Sequence, residues 1–248
     1  MQISKKLSKN VVPYAEGNGS KKEQVVEMFD NIAPSYDLLN HALSFGVDIL
    51  WRKNAIKHLK PYQPKVIVDM ATGTGDFAIE ALSLNPDKVI GIDISPEMLE
   101  VGKQKMKKKG VDDRIEMIIG DSEDIQLDDK SVDAFTVGFG VRNFENLNKG
   151  LGELHRILKP GGAGAILEPS FPTSFPLKQL FQLHFRVLTP ILGKMISGDD
   201  AAYKYLPESV RAFPNGKEFT DICQGVGFSK ATYYPLAFGM CSMYILEK

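Results

Sequence analysis

The fold of this chain is decided by the stretch Val68-Asp69-Met70-Ala71-Thr72-Gly73-Thr74-Gly75-Asp76-Phe77-Ala78. The apolar run at 65–69 predicts a buried strand, and the pattern at 76–84 predicts a helix close behind it. Glycines between a strand and a helix let a ligand approach the backbone closely, and the helix N-terminus favours an anion. The stretch therefore predicts the ligand-binding turn of an α/β sheet.

Further strands and helices alternate after this turn. Strands are predicted at 88–93, 114–119, 132–138 and 164–168, and helices at 96–108 and 147–158. Repeated strand–helix units with apolar strands are typical of a doubly wound parallel sheet that helices cover on both faces. A helix at 217–225 and two strands at 229–235 and 240–247 are predicted near the end of the sequence. The short connection between these two strands predicts a hairpin, so one of them is expected to run antiparallel at the sheet edge.

Composition and charge exclude several classes of protein. The chain has 248 residues, 43% hydrophobic and 25% charged, and its 30 basic and 31 acidic residues leave a net charge of -1. That balance gives no electrostatic footprint for nucleic-acid binding, and two cysteines are too few for a disulfide framework or a structural zinc site. No stretch approaches the ~18 apolar residues of a membrane-spanning helix, and no secretory signal is visible. We therefore expect a cytoplasmic protein that binds neither metal nor nucleic acid.

The N-terminal part is expected to cover the sheet. Residues 1–20 are polar, and they predict a flexible arm. Helical patterns from Lys21 to Pro34 and over 48–59 predict a helical cover at 21–62. Cover and sheet are expected to form one domain at 21–248.

Acidic residues around the glycine loop distinguish between ligands. Gly73, Gly75 and Ala78 satisfy a loose dinucleotide pattern, but Asp69 and Asp76 flank the loop and would repel a pyrophosphate. The two acids suit a ligand with an ammonium, a sulfonium and a carboxylate, which is the charge pattern of S-adenosylmethionine. An NAD-dependent oxidoreductase would instead have no acid at Asp69 and a glycine in place of Ala78. A scaffold subunit without activity, the other alternative, would bind the methyl donor weakly or not at all.

Acids that follow the next strands complete this prediction. Asp93 ends the second strand, where a carboxylate accepts hydrogen bonds from both hydroxyls of a ribose. Asp121 and Ser122 follow the third strand, where the adenine edge is expected. The predicted donor-binding residues are Asp69, Thr72, Gly73, Gly75, Asp93, Asp121 and Ser122.

Three segments are similar to a known family. They are Phe29-Asp30-Asn31-Ile32-Ala33-Pro34-Ser35-Tyr36-Asp37-Leu38-Leu39-Asn40, continuing to Trp51-Arg52; Gly138-Phe139-Gly140-Val141-Arg142-Asn143; and Lys159-Pro160-Gly161-Gly162 leading into Glu168-Pro169-Ser170. From Phe29 onward the chain resembles the ubiquinone/menaquinone biosynthesis C-methyltransferases. The resemblance implies a class I S-adenosylmethionine-dependent methyltransferase fold, Rossmann-like, with a seven-stranded, mostly parallel sheet. It also implies C-methylation of a polyprenylated quinol, with demethylmenaquinol as the expected acceptor; a ubiquinone-pathway benzoquinol and a sterol are the alternatives.

The chemistry of carbon methylation directs attention to Arg142. A quinol hydroxyl titrates near ~10, so the site must stabilise the phenolate or remove its proton through water. Arg142 follows the fourth predicted strand, where its guanidinium is expected to hydrogen-bond the acceptor oxygen. An ion pair with Glu145 or Glu168 that only anchors the loop is the alternative. The predicted catalytic residues are Arg142, the neighbouring Asn143, and Asp37 as a candidate base or structural cap.

Substrate contacts are expected from both ends of the chain. Tyr36 and Asn40 are expected to close the site from the N-terminal side. Residues 171–200 contain more Phe and Leu than one packed stripe requires, which favours an apolar lid for an isoprenoid tail over a core helix. Phe181 and Phe185 are the expected lid contacts. Such a lid would allow transient, peripheral contact with the inner face of the cell membrane, and we also allow for a homodimer.

Overall fold

A computed structural model shows a seven-stranded sheet with helices on both faces. It describes residues 11–14, 19–172, 175, 179 and 200–248. The strands are β1 (Val66–Met70), β2 (Lys88–Asp93), β3 (Ile115–Ile119), β4 (Val132–Gly138), β5 (Leu158–Pro169), β6 (Lys230–Leu236) and β7 (Cys241–Glu247). The helices are α1 (Lys21–Ile32), α2 (Tyr36–Ser44), α3 (Val47–Leu59), α4 (Asp76–Ala81), α5 (Pro96–Lys109), α6 (Leu147–Ile157), α7 (Asp200–Ala212) and α8 (Lys217–Val226).

The strand order of the sheet is β3-β2-β1-β4-β5-β7-β6. The neighbours β1 to β5 pair in parallel, whereas β7 lies between β5 and β6 and runs antiparallel to both. The prediction of one antiparallel strand near the edge is confirmed, and this strand lies one position in from the edge. The chain reverses its direction across the sheet between β1 and β4, which is where α/β sheets bind ligands.

Alternating side chains of the strands build a core on each face of the sheet. Val68 and Ile90 pack into one cluster, while their neighbours Ile67 and Val89 pack into the other. All four side chains are buried because helices cover both faces. A Cβ at Gly164 of β5 would lie 2.0 Å from the Phe135 ring, so glycine is required for this close approach. The packed sheet gives a rigid base to the loops at the carboxyl ends of its strands.

The N-terminal cover contains one helix more than the sequence pattern predicted. The first helix ends before Pro34 as predicted, at Ile32, but a short 3-10 turn, Ala33–Ser35, follows it and leads into α2, which was not predicted and starts at Tyr36. Proline lacks only its N–H, and the first turn of a helix does not need that donor. Phe45 and Gly46, both at positive φ, then turn the chain into α3.

Two further differences concern prolines and the lid. Helix α7 was not predicted, since Pro207 lies inside it, and β5 starts six residues before its predicted start at 164. Most of the predicted arm 1–20 and lid 171–200, with Phe181 and Phe185, lies outside the described residues. Within the part of the chain that the structure describes, no helix is long and apolar enough to cross a membrane.

Candidate functional site

A cavity of about 660 Å³ lies at the carboxyl ends of β1 to β4, where the strand order reverses. The loops after these four strands form most of its wall, and α1 closes one side with Lys22, Val25 and Phe29. Predicted donor-binding residues on its wall are Gly73, Asp93, Asp121 and Ser122. The structure therefore brings residues from three separate strand ends to one cavity.

The glycine loop bends sharply at the edge of this cavity. Ala71, Gly73 and Gly75 all have positive φ, and a Cβ at Gly75 would lie 2.2 Å from Cε of Met106. The amide of Thr72 donates to the Ile92 carbonyl at 3.0 Å, which holds the loop against the end of β2. Glycine is needed here for conformation and for space, and the bend exposes backbone to a ligand.

Asp93 lies at the bottom of the loop, with 8% of its surface exposed. Its Oδ2 accepts from the Gly73 amide at 2.7 Å, and its Oδ1 accepts from the Ser95 amide at 2.9 Å. Burial raises the pKa of this carboxyl, although the amide donors favour its charged form. Each oxygen keeps a lone pair for a further donor. With the apolar wall of Ile94 and Met98 beside it, Asp93 fits the ribose and base of a nucleoside.

Asp121 faces the same cavity from the loop after β3. Its Oδ2 accepts from Lys22 Nζ at 2.6 Å, and its Oδ1 accepts from the Glu123 amide at 2.9 Å. The sequence did not indicate the role of Lys22, which stands 99 positions before Asp121 in the chain. The carboxylate is thus fixed at the place where the sequence predicted the adenine edge.

A second, smaller cavity of about 350 Å³ adjoins the first and shares Tyr36, Ala71, Gly138 and Phe139 with it. Asp69 and Arg52 also lie on its wall. Asp69 is fully buried and accepts from Thr72 Oγ1 at 2.6 Å and from Thr136 Oγ1 at 2.7 Å. Burial raises the pKa of Asp69 to about 6. A carboxylate and a guanidinium in one cavity fit the ammonium and the carboxylate of an amino-acid group.

Arg52 belongs to a network of charges that joins the cover to the glycine loop. Its guanidinium donates to Asp48 Oδ2 at 2.5 Å and to Asp76 Oδ2 at 3.1 Å. Lys105 of α5 donates to the other oxygen of Asp76 at 2.8 Å. Burial works to raise the pKa of Asp76, but these cations lower it overall. The Trp51-Arg52 pair was part of the quoted motif, but nothing in the sequence indicated that Arg52 faces the site.

Asp37, a predicted catalytic residue, is held by the same network. Its Oδ2 lies 2.5 Å from Lys105 Nζ, and its Oδ1 accepts from Thr74 Oγ1 at 2.5 Å. Among the described residues it is not on the wall of either cavity, whereas Tyr36 lines both and Asn40 lines the second. In this arrangement the carboxylate ties α2 to α5.

Arg142 lies in the turn after β4 and forms the ion pair that the sequence allowed as an alternative. Its Nη1 donates to Glu168 Oε2 at 3.1 Å and to the Phe139 carbonyl, and its amide donates to Glu168 Oε1 at 3.2 Å. Its Nε is buried and has no hydrogen-bond acceptor among the described residues. One charged donor of the guanidinium is thus left over after the loop has been anchored.

Asn143, next to this arginine, lies on the wall of the first cavity. Its Oδ1 accepts from the hydroxyl of Tyr205 at 3.0 Å, so α7 helps to fix the loop. Burial raises the pKa of Tyr205 to about 12, which makes its hydroxyl a donor at neutral pH. Among the predicted substrate contacts, Phe181 and Phe185 lie outside the described residues.

Comparison with known proteins identifies the family of this chain. The chain matches the model of the ubiE/COQ5 methyltransferase family over residues 18–248. It is 48% identical over 239 residues to the demethylmenaquinone methyltransferase of Bacteroides fragilis, which covers 96% of this chain and 97% of that protein. It is 44% identical over 230 residues to the ubiquinone/menaquinone biosynthesis C-methyltransferase UbiE of Geotalea daltonii, with 92% of this chain and 97% of that protein covered.

A solved structure shows the same fold. A SAM-dependent methyltransferase from Thermotoga maritima has a TM-score of 0.62 and 19% identity, and the match covers 90% of this chain and 99% of that one. The fold, the enzyme class and the methyl donor expected from the sequence are confirmed by these matches. The chain is an S-adenosyl-L-methionine-dependent methyltransferase and belongs to the ubiE/COQ5 methyltransferase family.

Proposed function

We propose that this enzyme methylates a ring carbon of a polyprenylated quinol, with demethylmenaquinol as its acceptor. The name of the relative from Bacteroides fragilis supports this acceptor. The observation that carries the proposal is the buried Nε of Arg142, which has no acceptor among the described residues and belongs to the turn that places Gly140 and Asn143 on the wall of the donor cavity. A buried charged donor without an acceptor costs free energy, about 1–3 kcal/mol, which an acceptor oxygen of the substrate would recover.

The donor is proposed to span both cavities. Asp93 would accept from the two ribose hydroxyls, and Asp121 would lie at the adenine edge with Ser122. Asp69 would attract the ammonium, while Thr72 and the amides around Gly73 and Gly75 would contact the amino-acid part. The lining of the two cavities supports this orientation. Carboxylates and apolar side chains that suit a nucleoside line the larger cavity, and groups of opposite charge line the smaller one.

The chemistry then requires the chain to activate the acceptor. S-adenosyl-L-methionine, when bound, supplies a methyl group on a positively charged sulfur. Arg142 is proposed to donate through Nε to the acceptor oxygen, which stabilises the phenolate and raises electron density on the adjacent carbon. The carbon–methyl bond forms as the sulfur–methyl bond breaks with its electron pair left on sulfur, and the ring proton departs to water. Asn143 and Tyr36 would hold the ring, since both lie on the cavity wall.

The remaining predictions are part of this proposal. Residues 21–248 would act as one domain, and Phe181 and Phe185 would contact the isoprenoid tail. Access to such a tail requires transient contact with the membrane surface that contains it. A role of Asp37 as base is less well supported, because Lys105 already holds its carboxylate. A homodimer stays a prediction.

A methyl-transfer assay tests the acceptor. The enzyme receives radiolabelled donor with a demethylmenaquinol, a methoxy-polyprenyl-benzoquinol or a sterol of similar solubility. We expect the demethylmenaquinol to be methylated fastest. The benzoquinol is the second candidate, because the relative from Geotalea daltonii is named for both pathways. Methylation of the sterol alone would exclude the quinol proposal.

A substitution tests the role of Arg142. Arg142→Lys keeps the positive charge but removes Nε, so we expect kcat to fall about 10²-fold or more while the Kd for S-adenosylhomocysteine stays within about twofold. Arg156→Lys is the matched control, because Arg156 also pairs with carboxylates, Glu153 and Asp129, but lies on the wall of neither cavity. If Arg142→Lys weakens product binding as much as it lowers kcat, the arginine is structural.

A further inference from the structure

Helix α1 bridges the donor cavity from one side to the other. Lys21, its first residue, donates through Nζ to the carbonyls of Arg142 and Phe144, both at 3.0 Å. The next residue, Lys22, pairs with Asp121 at 2.6 Å. The first contact is to the loop after β4 and the second is to the loop after β3, and two strands separate β3 from β4 in the sheet. The start of α1 is therefore attached to opposite walls of the cavity.

The contact made by Lys21 is unusual for a charged side chain. Lys21 is 7% exposed, and no ion pair of this lysine occurs among the described residues. Burial lowers its pKa to about 8. Desolvation of a buried ammonium offsets much of the free energy gained from its hydrogen bonds to carbonyls. Stability alone therefore does not explain this contact. Its two acceptors flank Asn143, which lies on the cavity wall.

The rest of α1 is packed separately from the two cores of the sheet. Met28 and Ile32 form a small cluster with Met98 and Tyr205, distinct from the clusters on the sheet faces. The Asp30 carboxylate near the end of α1 accepts from Ser95 Oγ at 2.5 Å. The helix thus has a packed C-terminal end on α5 and an N-terminal end that two lysines attach. Opening the N-terminal end would leave the sheet core intact.

We propose that Lys21 and Lys22 form a clasp that holds α1 closed over the methyl donor, and that opening this clasp sets the rate at which S-adenosylhomocysteine leaves and new donor enters. Val25 and Phe29 of α1 lie on the cavity wall, so a bound nucleoside would be enclosed by this helix. Because Lys21 binds the carbonyls on both sides of Asn143, closure also fixes the loop that carries Arg142. Donor enclosure and assembly of the acceptor side are coupled through one amine. The proposed clasp acts on binding and release of the methyl donor and does not depend on the identity of the acceptor.

Exchange of S-adenosylhomocysteine tests the clasp without any acceptor. The single tryptophan of the chain, Trp51, packs edge-on against Phe139 at 6.3 Å, and Phe139 lines both cavities, so Trp51 fluorescence can report binding. Stopped-flow mixing with the full chain gives the association and dissociation rates. Lys21→Met is the central variant, because the methionine side chain is similar in length to that of lysine but carries no charge. Lys22→Met is the second variant, and Lys53→Met, on the exposed surface of α3, is the matched control.

We expect Lys21→Met to raise the association and the dissociation rates together, each by about tenfold, with a smaller change in Kd, since weakening a lid speeds entry and departure alike. Lys22→Arg should keep wild-type rates, because arginine can still pair with Asp121. Wild-type exchange rates in both methionine variants would overturn the clasp. A faster dissociation with unchanged association would also overturn it, because it would show a direct contact between lysine and ligand.

Discussion

Asp93 contributes both to ligand binding and to stability, and its replacement by alanine allows the two contributions to be measured separately. The carboxylate accepts from two chain amides, Gly73 N at 2.7 Å and Ser95 N at 2.9 Å, and faces the donor cavity. Two hydrogen bonds from ribose hydroxyls to a charged acceptor contribute about 1.5–3 kcal/mol each. Their loss corresponds to a Kd for S-adenosylhomocysteine that rises about 10²- to 10⁴-fold.

The same substitution also affects stability. Gly73 and Ser95 would keep their amides but lose the acceptor, and each orphaned donor costs about 1–3 kcal/mol unless water enters the cavity. Since the cavity is open to a ligand, we expect the lower end, a free energy of unfolding reduced by about 2 kcal/mol. Asp93→Asn keeps one carbonyl oxygen and should give intermediate values of both quantities.

Calorimetric titration with S-adenosylhomocysteine and urea unfolding measure these two effects. Asp87→Ala is the matched control, because Asp87 precedes the opposite end of β2 and is largely exposed, with Lys65 at 3.9 Å. It should change neither the Kd nor the stability by a measurable amount. A folded Asp93→Ala protein whose Kd stays within about threefold of the wild-type value would refute the ribose assignment.

Three further outcomes are expected. Burial raises the pKa of Asp69 to about 6, and protonation removes the charge that attracts an ammonium, so calorimetry should show donor affinity falling about fivefold as the pH is lowered from 6 to 5, and Asp69→Asn should abolish this dependence. Glu168→Ala leaves a buried arginine unpaired and should reduce the free energy of unfolding in urea by about 3–5 kcal/mol, against less than about 1 kcal/mol for Asp221→Ala, whose ion pair with Lys217 is exposed; equal losses would contradict this. Burial raises the pKa of both thiols, Cys223 and Cys241, so a thiol reagent should label them only at the rate of unfolding, and faster labelling of the native protein would be inconsistent with the structure.

The order of strands and helices in the sheet was predictable because periodicity reports burial directly. β2 and β4 have the predicted bounds, since both are apolar runs buried between two layers of helices: β2 begins and ends at charged residues, and β4 ends at a glycine. Prolines and glycines misled the prediction elsewhere. The stretch Lys159-Pro160-Gly161-Gly162 is typical of a turn, yet it lies in β5, where Gly161 N donates to the Lys248 carbonyl at 2.9 Å. A pairing with the last residue of the chain leaves no local signal.

The site was predictable to the extent that it depends on strand ends. Asp93 and Asp121 reach one cavity because the carboxyl ends of parallel strands meet at one edge of the sheet. The partners of long side chains were not predictable in this way. Lys105 lies in the lysine-rich second half of α5, a composition typical of a solvated helix end, yet it is the ion-pair partner of Asp37, 68 positions away. Only the packing of the cover on α5 creates that contact.

The two acids that flank the glycine loop, Asp69 and Asp76, differ in how their charges are compensated, and this difference determines which ligand the loop favours. Asp76 is compensated by Lys105 and Arg52, so it contributes little negative field to the cavities. Asp69 accepts from two threonine hydroxyls and forms no ion pair among the described residues, so desolvation by burial outweighs the groups that favour its charged form and raises its pKa. The repulsion of a pyrophosphate therefore depends on Asp69 and Asp93 rather than on the pair that flanks the loop. A buried carboxylate that lacks a cation is stabilised most by a ligand that brings one, and the ammonium of the methyl donor meets that requirement.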